Sequence, residues 1–547
     1  MIALTPPAAV LDRRGLFRGG LAGIGLAAAP AWAASLGEAG FTHGVASGEP
    51  GPDRVLLWTR YVGSGDTPVR YEIADSLEFG GVLAGGEAVA SPERDWCAKA
   101  VAGGLEPGRW YYYRFVGPRG ELSPVGRTRT LPVGRVERFR MGVFSCSNLG
   151  FGWFNAYAHA AEDGGFDLVA HLGDYYYEYQ RGTYPSAKQA LPERRLLPAN
   201  EIVALADYRQ RHAAYRADPD LRRLFQLQPW IMVGDDHETA NDSWKGGAEN
   251  HQPATEGPWD ARKAAALRAY REWLPVSDEP WAAYEIGDLA TIFRLETRLT
   301  ARDKPFDLGD IIGDKSAGEI DAALAAFRDG GWGDPARTLL GAEQEGWLAA
   351  GLAASRRARK PWQVLVQQVI MGELRLIPSV AEGMRADSPD YIRRRIANGI
   401  AASRAGLPVN MDAWDGYPAA RQRVLRAARE ADANLVVLTG DSHNAWAFEL
   451  AHGNERAGVE LAGQSVTSPG IEGSLPWFAP ERFVAESVGF NPSLKWADTR
   501  RRGYMALELT PARVTNEWRF LETIRTRSTS LSGTHRMGVE AGANRFA

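Results

Sequence analysis

The chain has 547 residues, of which 45% are apolar and 24% are charged, and its formal net charge is −4. This length exceeds what one simple hydrophobic core accommodates, so two or more domains are expected. The composition is that of an ordinary globular protein. The small negative charge argues against a nucleic-acid-binding protein and against a polybasic membrane-binding protein.

The N-terminal segment is predicted to be a signal peptide. Paired arginines, Arg13 and Arg14, precede a weakly apolar Gly/Ala-rich run that closes with the small-x-small pattern Ala-Trp-Ala at 31–33. The run is too short to span a bilayer as a stable helix. The arginine pair favours twin-arginine export over the alternative, an arginine-flanked anchor. Residues 1–33 are therefore predicted to engage the bacterial twin-arginine export machinery, and the mature chain, without a transmembrane segment, is expected to be periplasmic or secreted.

Residues 34–135 are predicted to form a small all-β domain. Short runs typical of strands are separated by Gly, Pro and Asp turns: VLLWTRY, VRYEIA, CAKAVA and RWYYYRFV. The stretch GLEPGRWYYYRF, at 104–115, is similar to the tyrosine-containing strand of a fibronectin-III-like or immunoglobulin-like sandwich. Cys97 lies in one of these runs. In an exported protein it could form a disulfide with Cys146, the other cysteine of the chain.

From residue 136 to 525 the pattern changes to alternating strands and helices. Six apolar runs predict strands: FRMGVFSCSN, FDLVAHLGD, PWIMVGDDHE, LATIFRLETR, WQVLVQQV and ANLVVLTGDSH. Helical patterns include ALADYRQRHAAYRADPDLRRLF, AEQEGWLAAGLAASRRARK and PAARQRVLRAAREA. This alternation predicts an α/β domain that binds its ligands beyond the carboxyl ends of the strands of one sheet. The polar residues 526–547 are predicted to form a C-terminal tail.

Potential metal ligands follow four of these strands. They are Cys146 in FSCSN, Asp174 in HLGDYYYE, Asp235, Asp236, His237, Glu238 and Asn241 in GDDHETAN, and Asp441 and His443 in TGDSHN. Singly, each has an ordinary structural explanation, since an aspartate after a strand is commonly a turn or N-cap residue and a buried cysteine commonly packs as a small apolar side chain. Together they form a mixed oxygen, nitrogen and sulfur set at one edge of one sheet. Aspartates in such a set can bridge two cations that drive in-line phosphoryl displacement.

These motifs follow the order of a metallophosphoesterase core and resemble the alkaline phosphatase D (PhoD-like) family of exported phosphatases and phosphodiesterases. The resemblance covers most of the chain after residue 33, in FTHGVASGEPGPDRVLLWTR, LEPGRWYYYRF, HLGDYYYE, DDHETAN, LETR, VLTGDSH and VTSPG. It implies an N-terminal β-sandwich followed by a metallophosphoesterase-like α/β domain. It also implies twin-arginine export and a site that combines Fe³⁺ with Ca²⁺.

The same resemblance assigns the metal ligands. On the iron side it implies Cys146, Asp174 and Tyr177, with His443 in the same cluster. On the calcium side it implies Asn241 and Asp441, with Asp174 as the bridge between the metals. Ligand chemistry agrees in part, because calcium takes oxygen ligands whereas a thiolate and a phenolate suit a transition metal. A metal-bound Cys146 would not be available for a disulfide with Cys97.

The roles of Asp235, Asp236 and His237 stay open at this point. The acidic pair either holds a second calcium or orients other ligands, and His237 is either structural or donates a hydrogen bond to phosphate. Arg298, in RLETR, is either a bidentate phosphate clamp or the partner of Glu296 in a surface ion pair. Glu296 stands where the family often has aspartate, which weakens the phosphate-clamp interpretation.

The implied activity is that of an exported metal-dependent alkaline phosphatase in which a metal-bound hydroxide attacks the phosphoester in line. Arg298 and the cations would stabilise the charge that develops on the equatorial oxygens. Three alternatives stay open. One is a phosphodiesterase or phospholipase-D-like enzyme that uses the same metal site on lipid or wall-polymer diesters. The second is a glycosidase with paired carboxylates, and the third is a non-catalytic exported binding protein.

Overall fold

A computed structural model describes residues 39–386, 388 and 390–547. The predicted signal peptide, residues 1–33, lies outside this described part of the chain. Among the helices of the described ranges, none has both the length and the apolar composition that crossing a membrane requires.

The described chain contains twenty strands. They are β1 (Gly40–Gly48), β2 (Arg54–Val62), β3 (Thr67–Ala74), β4 (Ala84–Ala90), β5 (Cys97–Gly103), β6 (Trp110–Val116), β7 (Gly126–Arg129), β8 (Phe139–Phe144), β9 (Leu168–His171), β10 (Pro229–Met232), β11 (Ala282–Ile286), β12 (Ala290–Arg294), β13 (Trp362–Val366), β14 (Leu435–Thr439), β15 (Ala445–His452), β16 (Glu455–Ala462), β17 (Leu494–Asp498), β18 (Gly503–Leu509), β19 (Arg513–Leu521) and β20 (Leu531–Glu540). The six strands predicted between residues 136 and 525 are present as β8, β9, β10, β12, β13 and β14.

The described α-helices number twelve. They are α1 (Asn155–Asp163), α2 (Leu205–Arg216), α3 (Pro219–Leu227), α4 (Pro253–Glu256), α5 (Trp259–Trp273), α6 (Leu308–Ile312), α7 (Ala317–Asp329), α8 (Gly341–Arg357), α9 (Asp390–Arg404), α10 (Pro418–Glu430), α11 (Ile471–Ser474) and α12 (Pro480–Phe490). The helical pattern ALADYRQRHAAYRADPDLRRLF forms two helices because Asp218 caps α3, accepting hydrogen bonds from the backbone amides of the first turn, and Pro219 begins it.

The strands form two large sheets and one small one. The first has nine strands in the order β20-β19-β18-β8-β9-β10-β1-β2-β5, and the second has seven in the order β11-β12-β13-β14-β16-β15-β17. In the first sheet β8, β9 and β10 run parallel, and in the second β12, β13 and β14 run parallel. Each parallel trio therefore brings three carboxyl ends together at one edge of its sheet.

The two large sheets pack face to face between outer layers of helices. Side chains alternate across a strand, so Ala170 and Ile231 contribute to a core shared with Val364 of the second sheet. Their neighbours Val169 and Trp230 belong to a different core, formed with α1, α2, α3 and α5 on the outer face of the first sheet. Helices α8, α9 and α10 cover the second sheet in the same way. The architecture is mixed α/β, as the alternation of elements indicated, with two sheets and two helical layers where a single sheet was expected.

The N-terminal region is all-β, as predicted, but its strands are divided between two sheets. Strands β1, β2 and β5 extend the nine-stranded sheet, because β1 pairs in parallel with β10 through Ser47 and Pro229. Strands β4, β3, β6 and β7 form a four-stranded sheet of their own. Between them lies a separate core that includes Val45, Ile73 and Tyr113. The region is thus joined by hydrogen bonds to the strand that leads to the GDDHE motif.

The prediction of a polar tail over residues 526–547 is wrong, because this segment contains β20. The strand pairs antiparallel with β19, for example through Val539 and Val514. Its sequence is polar because β20 is the outermost strand of the sheet and most of its side chains are exposed or half-buried. An edge strand of this kind lacks the continuous apolar run by which buried strands are identified.

Candidate metal centre

The predicted ligands follow strands whose carboxyl ends converge. Strand β8 leads to Cys146, β9 to Asp174, and β10 to Asp235 and Asp236, whereas β14 of the other sheet leads to Asp441. The prediction that one sheet supplies them all is therefore wrong. Carboxylate oxygens of Asp235, Asp236 and Asp441 lie within 4.8 Å of one another. The centre thus lies where the edges of two facing sheets meet.

Backbone strain occurs at several of the candidate ligands. Four of them have positive φ angles: Cys146 (59°), Asp174 (54°), Asp441 (58°) and His443 (62°). A left-handed conformation is unfavourable for residues with a β-carbon and persists where the surrounding structure imposes it, which is typical of functional sites. At Gly173 (φ 98°) a β-carbon would lie 2.4 Å from Cβ of Asp235. Glycine here lets the loops after β9 and β10 approach each other closely.

Glu238 connects these two loops. Its buried carboxylate accepts hydrogen bonds from the backbone amides of Asp174 (3.2 Å), Tyr175 (2.6 Å) and Asp235 (2.9 Å). Burial raises the pKa of Glu238 to about 8, against the opposing effect of the Tyr175 and Asp235 amides. The motif singled out Glu238 without giving it a role, and the structure assigns it to positioning the loops that carry the ligands.

Replacing Glu238 by glutamine is expected to lower the free energy of unfolding by about 2 kcal/mol, because one buried amide then faces an N–H group instead of an acceptor. Urea unfolding followed by circular dichroism measures the change. The exposed Glu193 supplies the control, and Glu193→Gln is expected to stay within about 0.5 kcal/mol of the parent. Equal stability of Glu238→Gln and the parent would contradict the positioning role.

One group of candidate ligands contains sulfur, nitrogen and oxygen. Ligand atoms of Cys146, Asp174 and His443 lie within 4.8 Å of one another. The Tyr177 hydroxyl donates to Asp174 Oδ2 (2.9 Å) and lies 3.0 Å from His443 Nε2. His443 Nδ1 lies 2.7 Å from the backbone carbonyl of Pro469, so Nδ1 carries the proton and the Nε2 lone pair faces the group.

The side chain of Tyr177 reaches Asp174 although the segment that joins the two residues is not helical. The segment after β9 is irregular, and the positive φ of Asp174 turns the chain instead. Ser468 Oγ donates a hydrogen bond of 2.7 Å to the Tyr177 oxygen. Tyr175 and Tyr176 are fully buried in the core beneath the helices, which agrees with the packing role that tyrosine commonly has. Only the third tyrosine therefore brings its oxygen to the candidate ligands.

The electrostatic environment of Cys146 and His443 suits a bound cation. Burial, together with the Asp174 carboxylate, raises the pKa of the Cys146 thiol. A thiol in this setting ionises when a metal compensates its charge. Burial lowers the pKa of His443 to about 3, so its imidazole is neutral, as a metal ligand must be. Both Cys97 and Cys146 are free thiols, and the disulfide alternative is not observed.

Three further groups of candidate ligands are linked to the sulfur-containing group through shared residues. They are Asp174, Asp236 and His237; Asp235, Asp236 and Asp441; and Asp236, Asp242 and Asp412. The last two contain only oxygen donors. Asp236 belongs to all three, and Asp174 is shared with the sulfur-containing group, so these two carboxylates are placed to bridge cations. Burial opposes ionisation of Asp236, but His237 and Arg298 outweigh it and hold the pKa of Asp236 below its usual range.

Two buried oxygens test whether cations fit this arrangement. Asp174 Oδ1 and Asp235 Oδ2 have no hydrogen-bond partner among the described residues. A buried carboxylate oxygen is unfavourable unless a donor or a cation compensates it. The donor sets are consistent with cations, since the oxygen-only groups suit calcium and the sulfur-containing group suits a transition metal. The residues present therefore fit bound metals.

Arg298 lies among the acidic residues with a side chain that is 0% exposed. Its nitrogens donate to Asp235 (2.5 Å), Asp412 (2.6 Å) and Asp441 (3.2 Å). The guanidinium thus holds these acidic side chains in position, and a role for Arg298 at phosphate, which would need donors free of the carboxylates, stays a prediction.

The alternative of a surface ion pair between Arg298 and Glu296 is wrong, because the Arg298 side chain is buried and pairs with other carboxylates. The Glu296 carboxylate accepts backbone amide hydrogen bonds from residues 298–300, at 2.7 to 2.8 Å. It therefore caps the turn that follows β12 and directs the Arg298 side chain toward the centre.

Asn241 lies at the margin of the centre. Its side-chain amide donates to Glu249 (3.1 Å), and its backbone amide donates to Glu178 (2.8 Å). Its role as a calcium ligand stays a prediction. Asp242 and Asp412, which the motifs did not single out, contribute oxygens to one group, together with Asp236. Asp242 directly follows the GDDHETAN motif, and this adjacency was the one available signal.

Comparison with known proteins agrees with this geometry. A family model described as PhoD-like phosphatase matches residues 141–518, and the model of the N-terminal domain of PhoD-like phosphatases matches residues 26–132. The chain belongs to the PhoD-like phosphatase family. It is 34% identical over 497 residues to alkaline phosphatase D of Bacillus subtilis (strain 168), which covers 86% of this chain and 76% of that protein.

A solved structure of PhoD has the same fold as this PhoD-like chain. The two superpose with a TM-score of 0.76 and 30% sequence identity, over 93% of this chain and 92% of the other. Membership of the family makes the chain a phosphoric ester hydrolase.

Proposed function

We propose that this PhoD-like phosphatase is an exported metalloenzyme that hydrolyses phosphomonoesters at a centre containing Fe³⁺ and Ca²⁺. The observation that carries the proposal is the position of Asp174, which lies in both the sulfur-containing group and a group with Asp236 and His237. Its catalytic part would be metallophosphoesterase-like, with the all-β region as a fibronectin-III-like sandwich. The paired arginines at the N-terminus support export to the periplasm or beyond.

The residues around Asp174 would hold iron, and the oxygen-only groups would hold calcium. When bound, the cations supply Lewis-acid activation of water and neutralise phosphate oxygens. The chain positions these ligands before substrate arrives. Pro469 orients His443, Ser468 orients Tyr177, and Arg298 braces the acidic side chains.

Solvent access indicates the side from which substrate approaches. The side chains of Asp441 and His443 are each 17% exposed, whereas those of Asp174 and Asp235 are 2% and 0% exposed. A phosphate group would therefore meet the centre over Asp441 and His443. The buried carboxylates would lie beneath it, sheltered from bulk water, where electrostatic interactions are stronger.

A groove favours the second candidate function, hydrolysis of phosphodiesters. It has a volume of about 790 Å³ and extends from Asp242 and Asp412, past Trp244, toward Arg394 and Arg395 on α9. This space accommodates the second ester substituent that a phosphodiester carries. Comparing kcat/KM for p-nitrophenyl phosphate and bis-p-nitrophenyl phosphate decides between the two, and a ratio in favour of the diester would replace the monoesterase proposal.

Removal of the cations is expected to lower phosphoester hydrolysis by on the order of 10²-fold or more, because water activation and charge neutralisation are both lost. The measurement is kcat for p-nitrophenyl phosphate before and after exhaustive dialysis against a chelator, with iron and calcium determined by elemental analysis. Adding back both ions should restore activity, and adding either one alone should not. Full activity in a protein free of both ions would refute the metalloenzyme proposal.

A further inference from the structure

The interior between the N-terminal all-β region and α2 contains an arginine without a carboxylate partner. Arg216, the last residue of α2, is 0% exposed. The ionisable neighbours that most favour its charge are two phenols and a thiol, Tyr175, Tyr113 and Cys97, which are neutral at pH 7. Burial lowers the pKa of Arg216 to about 10, so the guanidinium is still charged at neutral pH. The described chain thus holds a buried cation that no anionic side chain compensates.

Hydrogen bonding of this guanidinium is also incomplete. Its Nη2 donates to the backbone carbonyl of His43 (3.3 Å), whereas Nε and Nη1 have no acceptor among the described residues. The Arg216 Cζ atom lies 4.4 Å and 4.1 Å from the ring centres of Trp58 and Phe225. Contact with aromatic faces offsets part of the cost of burying the charge, but it gives no acceptor to the N–H groups at the edge of the guanidinium plane. Two donors therefore lack an acceptor in this part of the interior.

Two buried histidines lie beside Arg216. His43 and His212 are 3% and 0% exposed, and none of their ring nitrogens has a hydrogen-bond partner within the described ranges. Both rings pack on Trp273, with centroid distances of 5.1 Å and 6.4 Å. His212 precedes Arg216 by four residues, so the two side chains share one face of α2. Burial lowers the pKa of both histidines, with a further contribution from Arg216, so each ring is neutral and carries one N–H donor.

The backbone of β1 is distorted at His43. The pairing of β1 with β2 shifts between Thr42 and Val45, and His43 (φ 62°) and Gly44 (φ 74°) inside this bulge are both left-handed. A left-handed histidine is unfavourable and persists where the surrounding structure imposes it. Bulges redirect side chains and are frequent next to active sites. This one turns the His43 carbonyl toward Arg216 and brings the imidazole into the same buried cluster.

We propose that Arg216, His43 and His212 bind a buried monovalent anion, chloride under physiological conditions, at the junction between β1 and α2. A water molecule would accept hydrogen bonds from the free donors, but the positive charge would stay uncompensated in the interior. A bound anion removes both deficits at once. The inference does not depend on the proposed function, because it concerns the outer side of the first sheet, in the core that contains Trp58 and Phe225.

Charge and size define the anion. Of the other arginines near His43, Arg60 pairs with Asp95 (3.4 Å) and Arg222 is exposed, so one buried cation corresponds to one negative charge. The three binding side chains belong to residues that are at most 3% exposed, which excludes an anion as large as a phosphoester. The anion would join the N-terminal all-β region to α2, because β1 supplies one donor and the helix supplies the others.

Bromide can stand in for chloride at such a site and can be located directly by anomalous diffraction. Crystals of the metal-containing enzyme are soaked in sodium bromide, and anomalous differences are measured above and below the bromine absorption edge, which separates bromide from iron. We expect a bromide peak in contact with Arg216 Nε or Nη1. Ordered water at this position, without a bromide peak, would overturn the proposal.

The dependence of the unfolding temperature on chloride measures binding in solution. An anion that binds only the folded state stabilises it, so Tm should rise by about 2 °C between chloride-free buffer and saturating chloride. Sodium methanesulfonate, whose anion is larger, keeps the ionic strength constant throughout the titration. Arg216→Met removes the charge and keeps much of the side-chain volume, and this variant should lose the rise in Tm.

Arg357→Met is the matched control, since Arg357 is an exposed arginine at the end of α8. It should show the same rise in Tm as the wild type, which separates anion binding from a general effect of salt on surface charge. An equal rise in the wild type and in Arg216→Met would contradict the proposal. If Arg216→Met does not fold, the bromide map and the chloride titration of the wild type decide, and a wild-type Tm independent of chloride would overturn it.

Discussion

Replacing Asp174 by asparagine is expected to reduce kcat for p-nitrophenyl phosphate by on the order of 10³-fold or more, since several kcal/mol of charge stabilisation are lost. The Asp174 carboxylate is shared by two groups of candidate ligands, and it contacts both Tyr177 and His443. Asparagine keeps the shape and removes the charge. One substitution therefore weakens the binding of both cations.

Elemental analysis of Asp174→Asn tests the structural cause of this loss. Both iron and calcium should fall below the wild-type stoichiometry. Asp260→Asn supplies an isosteric control on the surface, because the Asp260 side chain is 89% exposed in the first turn of α5. It should retain wild-type activity and metal content. Near-wild-type turnover in Asp174→Asn would exclude a metal centre built around this residue.

Tyr177→Phe is expected to remove the phenolate-to-iron band from the visible spectrum of the iron-loaded protein. The phenol oxygen is in contact with Asp174, His443 and Ser468, all within 3.0 Å, which is the position an iron ligand would take in the sulfur-containing group. Charge transfer from phenolate to Fe³⁺ would give the wild type its colour. The absorption spectrum of purified protein, with iron measured in the same sample, is the test.

Tyr176→Phe distinguishes the ligand from its neighbour. The Tyr176 hydroxyl donates to the backbone carbonyl of Glu238 (3.1 Å), so its loss should lower stability by about 1 kcal/mol and leave the colour intact. An unchanged spectrum of Tyr177→Phe with full iron content would show that Tyr177 does not bind the iron. Loss of colour in both variants would point to disruption of the loop rather than loss of a ligand.

The sequence predicted the strands and most candidate ligands for one physical reason. Buried parallel strands are continuous apolar runs, and a charged residue at the end of such a run marks the edge of a sheet. Cys146, Asp174, Asp235 and Asp441 all follow that pattern, and the structure brings them together. The free thiols agree with the expectation that Cys146 does not pair with Cys97.

Other features depend on contacts that local patterns do not contain. Asp412 lies close to Asp236 in the structure but 176 residues after it in the chain. It belongs to the loop before α10, and no apolar strand precedes that loop. The division of the strands into two sheets is also non-local, because every parallel run has the same apolar pattern whichever sheet it joins. The three acidic partners of Arg298 lie in three separate loops, so the sequence around Arg298 does not reveal them. From that sequence alone, Arg298 was predicted to be a phosphate clamp or the partner in a surface ion pair.

The pairing of β8 has a consequence for protein synthesis. The strand that leads to Cys146 is covered on one side by β9 and on the other by β18, through pairs such as Val143 with Met505. A polypeptide released before residue 503 would present β8 as an open edge with unpaired backbone groups, which favours aggregation. Interrupted translation is therefore expected to yield insoluble fragments rather than a soluble truncated protein.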